Sequence, residues 1–190
     1  MRPRIERCAY LGWAERPVTK FHEVLQSHGS FLLTGHENPD GDCLGAEVAL
    51  FHLLQALGKQ VHIVNPDPIG RSFDFLTRHT PFGHARGDAP LPAFDVAVLL
   101  DCCQLGRVGP LGQRLQQSGK PIAVIDHHVG SDRGDGTVCY VDPTAAATGA
   151  LVRRIHGMVA RNEYKRRQAP PIIRLRGRAF GAGRQMPIAA

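Results

Sequence analysis

The sequence predicts an α/β domain, a mainly parallel five-stranded sheet with helices on both faces. Three observations carry this. Short apolar runs alternate with segments of helical spacing. The runs "FLL", "VAVLL" and "IAVI" are continuously apolar, which marks strands covered on both sides. A hydrophobic content of 43% over 190 residues is enough for one core.

Each element has a local reason. Residues 19–29, "TKFHEVLQSHG", read as a helix closed by Gly29. "FLLTG" (31–35) is the first buried strand. "CLGAEVALFHLLQALG" (43–58) places Leu44, Val48, Phe51, Leu54 and Leu57 at helical spacing and stops at Gly58. "QVHIVN" (60–65) is the second strand, and "PDPIGRS" is a turn. "FDVAVLLD" (94–101) is the third strand, and "GPLGQRLQQSG" (109–119) a helix despite its glycines. "PIAVID" (121–126) and "TVCYVD" (137–142) complete the sheet, and "AAATGALVRRIHGMV" (145–159) begins a last helix.

Composition divides the chain in two. From Met158 to Ala190 there are eight basic residues and one acid, Glu163, a charge of +7. The whole chain carries +6, so residues 1–157 carry −1. Residues 1–157 are therefore expected to form the domain, and 158–190 a basic, poorly ordered tail. No apolar run reaches the roughly 20 residues of a membrane span. The first residues, "MRPRIERCAYLGWAERP", have no apolar leader core. Five cysteines without a C-x-x-C pair argue against a disulfide framework or a zinc ribbon. A cytoplasmic location is the expectation.

In a parallel sheet, ligands bind beyond the carboxyl ends of the strands. Polar residues collect there three times: His36, Asp40 and Asp42 after the first strand, Asp101 after "VAVLL", and Asp126, His127 and His128 after "IAVI". Alone, "NPDGD" suits a turn, Asp101 a strand-end cap and "DHH" a solvated strand end. Delivered together, carboxylates and imidazoles make the set that two divalent cations about 3.5–4 Å apart require for phosphoester hydrolysis. Mixed nitrogen and oxygen donors are compatible with manganese.

The segments "GHENPDGDCLGA", "VLLDCCQLGRVG", "VIDHHVG" and "DPTAAATGALV" resemble, in order and spacing, the motifs of the DHH phosphoesterase family, over about residues 19–156. The "LDCCQLGRVG" wording is most similar to the branch that degrades very short oligonucleotides and dephosphorylates 3′-phosphoadenosine 5′-phosphate. The resemblance implies roles. His36 and Asp40 would hold one Mn2+, Asp42 and His127 a second, and Asp101 would bridge them. His128 would contact the scissile phosphate or assist the leaving group. Asp126 would orient a ligand imidazole, and Arg107 would contact phosphate. Asn38 and Thr148 are lesser candidates for polar contacts.

The chain also departs from the family. The family supplies a further aspartate to the second metal, downstream of "AAAT", and then a second, substrate-binding domain. Here no Asp or Glu follows Glu163, and Asp142 comes too early to be taken as a substitute. The expectation is a weakened second metal site, an open cleft and impaired hydrolysis, as in a truncated or frame-shifted enzyme. The alternative is a non-catalytic nucleic-acid binder acting through the basic tail. Tyr164 and Phe180 are its only aromatics for stacking on bases.

Overall fold

The computed structural model describes residues 16–130 and 134–168. Its elements in chain order are α1 (Arg16–Ser27), β1 (Ser30–Thr34), α2 (Gly41–Ala56), β2 (Gln60–Asn65), β3 (Phe82–His84), β4 (Val96–Leu100), α3 (Gly109–Gln117), β5 (Ile122–Asp126), β6 (Val138–Val141) and α4 (Thr148–Gln168). Two short 3-10 helices, Arg71–Arg78 and Leu105–Val108, lie between them. The strands form one sheet in the order β3-β2-β1-β4-β5-β6, every pair parallel.

The sheet has six strands, one more than expected. The additional strand, β3, pairs Ile63 with Phe82 and Asn65 with His84 at the sheet edge. It is three residues long with a glycine at its centre, too short to show a period. The 3-10 helix Arg71–Arg78 is not legible either, because it is only eight residues long and buries none of them.

Both sheet faces are covered, as continuous apolar strands require. Phe31, Leu33, Val96, Val98 and Leu100 point into a core with Phe21 and Leu25 of α1, Leu50 and Leu54 of α2, and Leu151 and Ile155 of α4. Leu32, Ala97, Leu99 and Val124 point to the other face, against Val108, Leu111 and Leu115. Asp95 ties the strand starts together. Its Oδ2 accepts from the Gly29 and Ser30 amides, both at 2.9 Å, one residue before β4 begins.

The compositional break at Met158 falls inside α4, which continues to Gln168. Regular structure therefore does not dissolve there. Arg, Lys, Glu and Gln are good helix formers. The buried Leu151, Val152, Ile155 and Val159 anchor the same helix on α1 and α2. The rest of the expected tail, from residue 169, lies outside the described residues. Among the described residues no helix is long and apolar enough to cross a membrane. Cys43 and Cys102 are buried free thiols, whereas Cys139 is disulfide-bonded.

β1 leads outward to β2 and β3, while β4 returns to its other side and leads to β5 and β6. The strand order therefore reverses between β1 and β4. The carboxyl ends of these two strands flank the crevice in which such sheets bind ligands.

Candidate metal centre

His36 follows β1 and is 8% exposed. Its Nδ1 lies 2.8 Å from the Glu37 carbonyl oxygen. A carbonyl only accepts, so Nδ1 carries the hydrogen and the neutral ring keeps a free lone pair on Nε2. That Nε2 faces Asp101 Oδ2 at 3.7 Å. His127 repeats the arrangement beyond β5. Its Nδ1 donates to the Ala145 carbonyl at 3.2 Å. Its Nε2 faces Asp101 Oδ1 at 3.6 Å and Asp42 Oδ2 at 3.5 Å.

Asp101 thus stands between two imidazoles, one carboxylate oxygen toward each. It is 3% exposed and adopts φ 60°, a left-handed conformation that a short polar side chain tolerates. Burial pushes its carboxyl above the ordinary range. The hydroxyl of Thr148, which donates to Oδ1 at 2.7 Å, acts the other way, and the charges of Asp42 and Asp40 add to the rise.

Asp40 and Asp42 are held by helix ends. Asp40 caps α2, its Oδ1 accepting from the Asp42 and Cys43 amides at 3.0 and 3.1 Å. This is why α2 starts at Gly41, ahead of the first apolar residue. Asp42 reaches across to α4, accepting from the Thr148 amide at 2.7 Å on Oδ2 and from the Gly149 amide at 3.0 Å on Oδ1. Ligand atoms of His36, Asp40 and Asp101 lie within 4.8 Å of one another, as do those of Asp101, His127 and His128.

The remaining expected residues also gather here. His128 Nδ1 donates to Asp126 Oδ1 at 2.7 Å, so this nitrogen is taken and Nε2 is the ring's free atom. The hydrogen bond to Asp126 raises the His128 pKa. Asp126 is buried and also receives the His128 amide at 3.1 Å. It therefore orients His128, whose ring stands in one of the two candidate metal-binding groups. Arg107 is exposed, and its 3-10 helix is joined to the His36 loop by the Glu37 amide donating to the Arg107 carbonyl at 2.8 Å. Its charge opposes protonation of His128. Asn38, at φ 52°, donates its amide to Asp67 Oδ2 at 2.7 Å and so serves loop shape.

The residue undervalued by sequence reasoning is Thr148. It is fully buried and meets Asp101 through its hydroxyl and Asp42 through its amide. The "AAAT" segment was the available signal, but nothing in it shows a contact with residues about 50 and 100 positions away.

The donor set fits hard or borderline divalent cations. Both histidines turn Nε2 toward carboxylates that stand 3.5–3.7 Å away. That is beyond a hydrogen bond, and within the roughly 3–4 Å that two ligands of one cation span when each lies about 2.1 Å from it.

A parallel α/β domain with carboxylates and imidazoles gathered at its switch point is of the class that serves metal-dependent phosphoesterases. The chain belongs to the DHH family: residues 30–175 match its N-terminal domain. It is 30% identical over 152 residues to the bifunctional oligoribonuclease and PAP phosphatase NrnA of Thermus thermophilus, covering 80% of this chain and 44% of that protein. It is 27% identical over 145 residues to the cyclic-di-AMP phosphodiesterase GdpP of Bacillus subtilis, covering 70% of this chain and 22% of that one. An exopolyphosphatase-related protein from Bacteroides fragilis shares the fold, with TM-score 0.61 and 20% identity over 80% of this chain and 45% of that chain. The chain thus spans less than half the length of these relatives.

Proposed function

We propose that this chain is the metal-binding domain of a phosphoesterase that hydrolyses short oligonucleotides or nucleoside bisphosphates such as 3′-phosphoadenosine 5′-phosphate, with two Mn2+ as cofactor. The observation that carries the proposal is Asp101 set between His36 and His127, each of its oxygens facing an imidazole Nε2 at 3.6–3.7 Å. The curated relatives that act on oligonucleotides and on PAP support the substrate class.

His36, Asp40 and Asp101 would hold the first cation, and Asp42, Asp101 and His127 the second. Such a pair supplies Lewis acidity at phosphorus and lowers the pKa of water. The side chains do the rest. Asp126 fixes His128 so that its Nε2 reaches a phosphate oxygen or protonates the leaving oxygen. Arg107, on the rim, offers its guanidinium to phosphate. Thr148 holds Asp101 in place for both cations.

The second site is the weaker one. Within these 190 residues no acid follows Glu163, so it has one carboxylate fewer than the family pattern.

The test is hydrolysis of a dinucleotide and of 3′-phosphoadenosine 5′-phosphate by the purified chain with added Mn2+, beside Asp101→Ala. Measurable turnover lowered at least about a hundredfold by the substitution supports the proposal. Equal rates for the two proteins, together with no Mn2+ bound to either, would sink it.

A further inference from the structure

Beneath the ligand loop lies a buried polar group that metal binding does not use. Glu47, on α2, is fully buried in an otherwise apolar stretch of the helix. Its Oε2 accepts from the Asn65 side-chain amide at 2.9 Å. Asn65, equally buried at the end of β2, uses its other side-chain atom, Oδ1, to accept from the Gly35 backbone amide at 3.3 Å. Gly35 is the residue before His36. A relay of two hydrogen bonds therefore runs from α2, through the end of β2, to the start of the ligand loop.

The other carboxyl oxygen, Glu47 Oε1, has no hydrogen-bond partner among the described residues. It lies against the bare Cα of Gly35, where an added Cβ would stand 3.3 Å from Oε1, 3.3 Å from the Leu100 carbonyl oxygen and 1.9 Å from Cys43 Sγ. These neighbours belong to ligand-bearing segments. Leu100 precedes Asp101, and Cys43 follows Asp42. The three segments close on one glycine, and Glu47 is the charged-type side chain wedged among them. A buried, half-satisfied carboxyl is a poor core residue, and an apolar side chain of similar volume would pack there at less cost.

We propose that Glu47, acting through Asn65, is a positioning residue of the metal centre: it fixes the Gly35 backbone and thereby sets His36 against Asp101. The inference rests on the metal-centre reading. It is local to the first cation, because Gly35 leads into His36, whereas His127 is oriented independently by Ala145.

Mn2+ titration of the metal-stripped chain, followed by electron paramagnetic resonance and beside thermal melting, tests it. Glu47→Met removes the relay but suits the core. Its melting temperature is expected to be equal to or above that of the unaltered chain, while affinity at the tighter Mn2+ site falls about tenfold or more. Glu47→Gln keeps an acceptor for Asn65 and is expected to bind Mn2+ within about twofold of the unaltered chain. Should Glu47→Met not fold, Asn65→Ala cuts the relay at its middle and carries the same expected loss. Unchanged Mn2+ affinity in the folded relay variant overturns the positioning role alone. No Mn2+ binding by the unaltered chain overturns the metal-centre reading, and the positioning role with it.

Discussion

Asp101 depends on Thr148 more than on any other described neighbour. The carboxylate is buried, and the threonine hydroxyl is its one direct hydrogen-bond donor from a side chain among the described residues. Thr148→Val keeps the shape and removes that donor. It is expected to weaken Mn2+ binding about 10–100-fold and to destabilise the metal-free chain by about 1–3 kcal/mol, read by titration and by denaturant melts. Glu47 gives a second single-residue prediction. Burial raises its pKa to about 8, from 4.5 when unfolded. Between these values the folded chain holds a proton that the unfolded chain has released, so stability falls as pH rises from 4.5 to 8. Metal-free melts across that range should show the fall, and Glu47→Gln should flatten it.

Helix ends hold the carboxylates of the candidate ligand loop. Asp40 is at once the N-cap of α2 and a metal-ligand candidate, and the two roles can be separated. Asp40→Ala should lose about 1 kcal/mol of metal-free stability. Asp40→Ser, which restores a cap but not a carboxylate, should recover most of that loss while Mn2+ affinity stays low. Melts in chelator beside Mn2+ titrations distinguish the two. The principal strands and helices were legible because their apolar residues recur at a fixed period or in unbroken runs. β3 was not, because three residues are too few to show a period, nor was the 3-10 helix Arg71–Arg78, which is short and buries none of its residues. The clustering of the candidate ligands was legible as well, because strand ends are recognisable in sequence. The caps that hold them were not, because Asp42 meets Thr148 and Gly149 across more than a hundred residues.

Across the whole molecule, the candidate ligands come from three strand ends and a helix start that meet only in the folded chain. Cation binding must therefore favour folding. Mn2+ at a hundred times its dissociation constant should stabilise the chain by about 2.7 kcal/mol, a rise of about 5–10 °C in melting temperature for a chain of this size. Chelator should reverse the rise, and Asp101→Ala should abolish it. The charge asymmetry along the chain was visible in composition, but it did not mark a structural border, because α4 carries regular structure through Met158.

The seat of α4 has one more consequence. Its first amides point at Asp42, so the positive pole of the helix macrodipole lies beside the place proposed for the second cation. The pole works against a bare cation there and in favour of an anion arriving with it. The second ion is accordingly expected to enter with its phosphate-bearing substrate, and its apparent affinity to rise when a nucleotide is present.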